Sequence, residues 1–287
     1  MILGAGPEIE FIVRNIQFTE ISLIGYGPYS EGAKKNELHN YCIKNGIVLI
    51  EDHFAAIALK PRFVLMLSYA PLISKEALQQ CDFVNVHGAL LPRYRGMHGG
   101  TWALINGEEK AGYTIHLVDE GIDSGPIYFQ NSVEVEIEDD INTVREKILN
   151  ELKRNILKQL EAIYLNEAAP ISQDELKAIH VCKRHPDDSC IDWNWSSKRI
   201  HDFVRALAPP YTTGAFTMLR GQKLYIVATE YIALPEYYGI PGQVVNIFED
   251  GSILVKSGDS AIKIFKVMWQ GKYEKPSNVF SKVGYRL

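Results

Sequence analysis

Three compact, mainly apolar runs, at residues 21–24, 63–67 and 83–86, alternate with stretches of helical spacing at 29–45 and 74–80. Runs this short, without regular polar alternation, are what strands buried on both faces look like. Strands alternating with helices predict a parallel sheet joined by right-handed crossovers. Further strands are expected at 113–118 and 127–135. A long amphipathic helix is expected at 141–165, where Ile141, Val144, Ile148, Leu149, Leu152, Ile156, Leu160 and Ile163 recur at helical spacing. Asp139 and Asp140 stand at its start, where carboxylates suit the helix dipole.

The texture changes over residues 169–189, which carry prolines and charges and little periodicity. A short helix at 198–208, stopped by Pro209-Pro210, precedes β-type segments at 215–219, 223–231, 242–248, 252–256 and 261–269. Gly221, Gly242 and Gly251 punctuate these segments, as expected of a small antiparallel β domain or barrel. A chain of 287 residues fits two modest domains, and the expected division is 1–185 and 186–287.

Apolar residues make up 46% of the chain, enough for a sizeable core, so disorder is not expected. The 30 Lys and Arg against 35 Asp and Glu give a net charge of −5, which argues against a broad, sequence-independent nucleic-acid binder. No run approaches the length of a membrane helix, and the start lacks the basic and apolar regions of an export signal. Four cysteines in such a chain do not make a disulfide scaffold, so reduced thiols in a cytoplasm are expected.

Candidate sites differ in strength. Gly4-Ala5-Gly6 could cradle a phosphate, but Ile9 occupies the third glycine position of a dinucleotide fingerprint, so a plain tight turn fits as well. His180, Cys182, His185 and Cys190 are metal-ligand types at spacings that match no common zinc pattern, so no metal is expected. The stretch 83–96 carries more. It opens as a buried strand, and Asn85 and His87, two residues apart, project from one face of it. Some 36 residues later, a loop following strand 113–118 carries Asp119, Glu120, Gly121, Ile122 and Asp123. Asp123 can orient a His87 ring that acts as acid or base, and the Asn85 amide can donate to an oxyanion. No Ser or Cys nucleophile stands in comparable context, which points to direct acyl transfer. A structural turn with a satisfied histidine is the competing reading.

At these residues the chain resembles the folate-dependent formyltransferase family. The matching pattern is Asn85-x-His87, then Leu90-Leu91-Pro92-x-Tyr94-Arg95-Gly96, then Asp119-x-Gly121-x-Asp123-x-Gly125-Pro126. Ile191-Asp192-Trp193, Ile200-His201-x-Phe203-Val204-Arg205-Ala206 and Gly214-Ala215-Phe216 resemble the entry to that family's C-terminal domain. The resemblance implies an α/β fold: a Rossmann-like parallel or mixed sheet followed by a small antiparallel, OB-like β domain. It implies 10-formyltetrahydrofolate as donor, an amine acceptor, and catalytic roles for Asn85, His87 and Asp123. The family's pterin pocket maps onto Tyr69, Ala70 and Pro71 and onto Asp119, Glu120, Gly121 and Ile122, with Leu90 and Met97 on adjacent walls.

Two branches of the family carry a C-terminal β domain: methionyl-tRNA formyltransferases and sugar-nucleotide N-formyltransferases. The tRNA enzymes would be expected to present a basic surface, and they typically read Ala-Ala-Pro where this chain reads Met97-His98-Gly99. The acidic balance, the short start and the lack of a basic insertion favour the sugar branch. The expected acceptor is then a nucleotide-linked amino sugar, such as a dTDP-4-amino-4,6-dideoxyhexose, used for surface polysaccharide such as the O-antigen of lipopolysaccharide. Trp102, Tyr211, Tyr237 and Tyr238 are candidates to stack on base or sugar, and Arg93 and Arg205 to meet a diphosphate, or all of these to pack and pair locally. A homodimer in the cytoplasm, without nucleic acid or membrane, completes the expectation. A methionyl-tRNA formyltransferase and a non-catalytic binding protein on the same scaffold are the alternatives.

Overall fold

The structure, a computed structural model, describes residues 1–16, 25–28, 37–69 and 71–287. The strand expected at 21–24 lies outside the described residues, as do residues 29–36 of the first expected helix and Ala70.

The first half runs β1 (Ile2–Gly4), α1 (Pro7–Asn15), β2 (Gly25–Pro28), α2 (Glu37–Lys44), β3 (Val48–Leu49), α3 (His53–Ala58), β4 (Val64–Leu67), α4 (Lys75–Leu78) and β5 (Phe83–His87). After it come β6 (Arg95–Gly96), α5 (Gly99–Ile105), β7 (Lys110–Leu117), β8 (Ile127–Glu134) and α6 (Ile141–Tyr164). Seven strands form one sheet in the order β3-β2-β1-β4-β5-β7-β8. The pairs from β3 to β5 are parallel, and β5 pairs antiparallel with β7, so β5 is where the sheet changes sense.

Alternate residues of the central strands fall into two separate apolar clusters, as strands covered on both faces require. Ile2, Leu65, Leu67, Val84 and Val86 pack with Ile9 and Ile12 of α1 and with Leu152, Ile156 and Leu160 of α6. Leu3, Val64, Met66 and Phe83 face the other way, with Ala56 and Ala77. Asp140 caps α6 by accepting from the amides of Asn142 and Thr143, 2.8 and 3.0 Å away. The glycine pair near the start has a packing role. Gly4 (φ +139°) lies so close to β4 that a Cβ would sit 1.8 Å from the Leu67 carbonyl oxygen.

The remainder comprises β9 (His180–Val181), α7 (Ser197–Ala206), β10 (Ala215–Leu219), β11 (Gln222–Glu230), β12 (Val244–Ile247), β13 (Ile253–Lys256), β14 (Ala261–Trp269) and β15 (Lys272–Glu274). The last six strands make one antiparallel sheet, whose buried Leu224, Ile226, Val255, Ile262 and Ile264 pack with Ile200, Phe203 and Val204 of α7. The stretch read as irregular holds β9, which pairs in parallel with β6.

Two compact units result. One contains Met1–Gly99, Gly112–Val133 and Lys147–Val181; the other contains Gly100–Ala111, Glu134–Glu146 and Cys182–Leu287. Among the described residues no helix is long and apolar enough to cross a membrane, and no group of His, Cys, Asp and Glu is placed to hold a metal ion.

Candidate active site

Because β7 runs antiparallel to β5, Asn85 lies opposite His116 and His87 opposite Thr114. Tyr113 and Ile115 point into the α1–α6 cluster, so Thr114 and His116 stand on the face of Asn85 and His87. Four polar residues thus stand together on one face of the β5–β7 pair. Thr114 braces the turn beyond β5: its hydroxyl donates to the Ala89 carbonyl at 2.6 Å and accepts from the Leu91 amide at 3.1 Å.

Asp123 reaches this group by an indirect path. The Val118 amide bonds the Phe83 carbonyl at 2.7 Å, so the loop after β7 leaves beside the start of β5 and not its end. It then folds back over the sheet face. Asp119 stiffens it by accepting from the Gly121 amide at 3.0 Å and the Ser124 hydroxyl at 2.7 Å. Asp123 itself has φ +51°. Its Oδ2 accepts from the Gly96 amide at 2.8 Å and lies 3.4 Å from His87 Nδ1. Its Oδ1 lies 3.4 Å from both Asn85 Nδ2 and His116 Nε2. The Gly96 position tolerates no side chain: φ is +100°, and a Cβ would sit 2.3 Å from the Val181 carbonyl oxygen across the β6–β9 pair.

Burial is the largest influence on Asp123 and pushes its carboxyl up. The hydrogen bond from His116, the charge of His87 and the Gly96 amide together outweigh it and hold the carboxyl at about 2. His87 is 8% exposed. Burial lowers its proton affinity most; Asp123 and the Tyr94 carbonyl, 2.9 Å from Nε2, pull the other way, and His116 adds to the lowering. The net result lies below the ordinary imidazole value. His87 is therefore a neutral base at pH 7 whose conjugate acid has an acceptor on each side. His116 Nδ1 lies 2.8 Å from the Leu117 carbonyl, and its Nε2 lies 3.2 Å from Asn85 Nδ2.

The three residues expected to be catalytic are thus brought together. His116 was missed, although its two-residue offset from Thr114 repeats that of Asn85 and His87 and is the sequence signal for it. Of the expected pocket residues, the Tyr69 hydroxyl bonds His53 Nδ1 at 3.0 Å, Pro71 is exposed and Leu90 is half-buried. Met97 and Ile122 are exposed, and Gly121 lies at the loop surface. Glu120 pairs with Lys75 at 2.8 Å, which fastens the Asp123 loop to the segment following Pro71.

The outlying candidates are placed otherwise. Arg205 is buried and spent on Asp202 and on the carbonyls of Glu136 and Asp139. Arg93 bonds the Tyr94 hydroxyl. Trp102 Nε1 donates to the Cys182 carbonyl at 3.1 Å, Arg145 stacks on Tyr211, and Lys256 lies over Tyr237, while Tyr238 is fully exposed. The backbone of His180 pairs with Arg95, and His185 accepts the turn at 186–189.

A neutral buried histidine on a low-lying carboxylate, beside an amide donor, is the equipment of an enzyme that moves a group between an acyl carbon and a nucleophile. The formyl transferase family model matches residues 52–160, and that of the formyl transferase C-terminal domain matches 183–282. The methionyl-tRNA formyltransferase of Syntrophomonas wolfei is 30% identical over 233 residues, which is 79% of this chain and 72% of that protein. The chain belongs to the formyl transferase family. In fold it is similar to the N-formyltransferase from Helicobacter canadensis, solved with folinic acid and dTDP-3-aminofucose: TM-score 0.68, 20% identity, 92% of this chain and 97% of that one. It is also similar to HypX from Aquifex aeolicus at TM-score 0.58 and 18% identity, over 84% of this chain; it spans only 44% of the HypX chain.

Proposed function

We propose that the protein transfers the formyl group of 10-formyltetrahydrofolate to the amine of a nucleotide-linked amino sugar, such as a dTDP-4-amino-4,6-dideoxyhexose. The observation that carries this reading is His87 Nδ1 lying 3.4 Å from an Asp123 carboxylate with Asn85 Nδ2 equally near it. The acceptor amine attacks the formyl carbon. His87, held by Asp123, takes the amine proton; Asn85 and the protonated His87 stabilise the oxygen of the tetrahedral intermediate; His87 then returns the proton to N10 as the formyl carbon–N10 bond breaks and tetrahydrofolate leaves. A resting His87 that is neutral at pH 7 suits this task. In this reading the donor is held by Tyr69, Pro71, Leu90, Met97, Asp119, Glu120, Gly121 and Ile122.

Support for a sugar acceptor comes from the acidic balance, from Met97-His98-Gly99 after the Arg95-Gly96 motif, and from the near-complete overlap with the H. canadensis enzyme. In this reading residues 1–185 carry the chemistry and 186–287 form the appended β domain. The product enters surface polysaccharide such as the O-antigen of lipopolysaccharide, and the enzyme acts as a cytoplasmic homodimer. One observation favours a second reading, methionyl-tRNA as acceptor: the 30% identity to the S. wolfei enzyme.

Acceptor selection decides between them. Purified protein is given 10-formyltetrahydrofolate with charged methionyl-tRNA or with a panel of dTDP- and UDP-linked amino sugars. Tetrahydrofolate release is followed together with the formyl mass gain on the acceptor. Formylation of a sugar nucleotide is expected; formylation of the tRNA alone transfers the enzyme to the other branch.

A further inference from the structure

Asp123 is held by more than the groups its carboxylate touches. Gln173 comes from the segment after α6, far away in sequence, and its side-chain Nε2 donates to the backbone carbonyls of Asp123 at 2.8 Å and Gly125 at 2.7 Å. Its Oε1 accepts from Arg95 Nη2 at 2.8 Å and Nε at 3.1 Å. The orientation of this amide is forced. A guanidinium has only donors and a peptide carbonyl only acceptors, so the oxygen must face Arg95 and the nitrogen the loop. Arg95 is 2% exposed, and its outer edge is taken by both carboxylate oxygens of Glu175, at 2.6 and 2.9 Å. That leaves the guanidinium fixed on three sides.

We propose that Gln173, locked by Arg95, is a positioning residue for the transfer reaction: it clamps the backbone of the Asp123 loop so that the carboxylate stays on His87 and Asn85. The inference rests on the catalytic reading of Asp123. The loop needs such a clamp. Asp123 sits in the left-handed region at φ +51°, and its carboxylate holds His87 at 3.4 Å, a separation that a small loop shift would lengthen. The carboxylate does not touch Gln173, so the residue acts through the main chain alone.

Two substitutions separate the clamp from the anchor. Q173E keeps one oxygen for Arg95 and turns the other edge from donor to acceptor against two carbonyls. Q173M keeps the length and removes both edges. In each, kcat with dTDP-4-amino-4,6-dideoxyhexose is expected to fall about 10²-fold with KM within about twofold, because geometry and not binding is lost. In a D123N background, Q173E is expected to add less than about a further twofold, since the two act as one unit. Losses that multiply in the double variant, or a wild-type rate in Q173E, overturn the proposal.

A readout that needs no turnover runs alongside. In the full chain with labelled histidine, the NMR titration midpoint of His87 is expected to drop in Q173M, which adds no charge, because a displaced carboxylate no longer supports the imidazolium. An unchanged midpoint overturns the clamp. If the wild type formylates no amino sugar, the proposed acceptor is wrong, while the His87 titration still judges the clamp. If Q173M does not fold, Q173E, which retains the Arg95 pair, carries the kinetic test.

Discussion

His87 has an acceptor at each ring nitrogen, and only the doubly protonated ring satisfies both. Burial works against that form and prevails in the resting protein. The ring therefore gains its second proton when a reaction delivers one. Replacing His87 with Ala is expected to lower kcat/KM by about 10²–10⁴-fold, read by tetrahydrofolate release; an unchanged rate would remove His87 from the mechanism. Asp123 makes a separate claim on stability. Its carboxyl is depressed from 3.8 to about 2, so the stabilisation, about 2 kcal/mol, is complete above pH 4 and lost as pH falls from 4 towards 2. Denaturant titrations are expected to show wild type exceeding D123N by that amount near pH 4, where His87 can still carry charge, by less at pH 7, and the gap closing near pH 2. His87 has the opposite charge type. Its lowered folded value means the unfolded chain binds the proton first, so stability rises with pH up to the unfolded-state value of 6.5 and declines below it. At this scale the sequence was informative. Two polar residues at strand spacing inside an apolar run disclosed Asn85 and His87. Gln173 was not legible, because it acts through a hydrogen bond spanning 50 residues; His116 left a spacing signal, but its place beside Asn85 depends on β7 pairing antiparallel to β5.

Elements carry these residues with different tolerance. Strands β4, β5 and β7 and helix α6 were readable because burial on two faces and one apolar stripe leave distinct periods in the sequence. The two-residue strands β6 and β9 leave no period, and they were read as loop. Their pairing nevertheless sets the Gly96 amide that bonds Asp123. Gly96→Ala is expected to force β6 away from the Val181 carbonyl, 2.3 Å from the new Cβ, and to cost about 1–3 kcal/mol through the strained φ and the displaced pair. Activity is expected to fall further than stability, since the displaced amide is one of the donors holding the carboxylate. A melting curve and a rate measured on the same sample test both halves of that statement.

For the molecule as a whole, net charge −5 bears on the choice of acceptor. A tRNA enzyme making several phosphate contacts would lose on the order of 10³-fold in acceptor affinity between about 50 and 200 mM salt, whereas a sugar nucleotide brings only a diphosphate. Acceptor KM is therefore expected to change by less than about tenfold over that range; a steep rise would favour a polyanionic acceptor. The order of the two sheets was legible because β-type spacing replaces strand–helix alternation from residue 215 onward. The assignment of residues 100–111 and 134–146 to the second compact unit was not, since it depends on packing between segments far apart in sequence.

That partition has an optical consequence. The chain has four tryptophans, Trp102, Trp193, Trp195 and Trp269, and all belong to the second unit, whereas Asn85, His87 and Asp123 belong to the first. Tryptophan emission therefore watches one unit, and formyl transfer, in the proposed mechanism, watches the other. A lesion that silences the enzyme while leaving tryptophan emission untouched leaves the surroundings of all four tryptophans, and so of the second unit's core, unaltered.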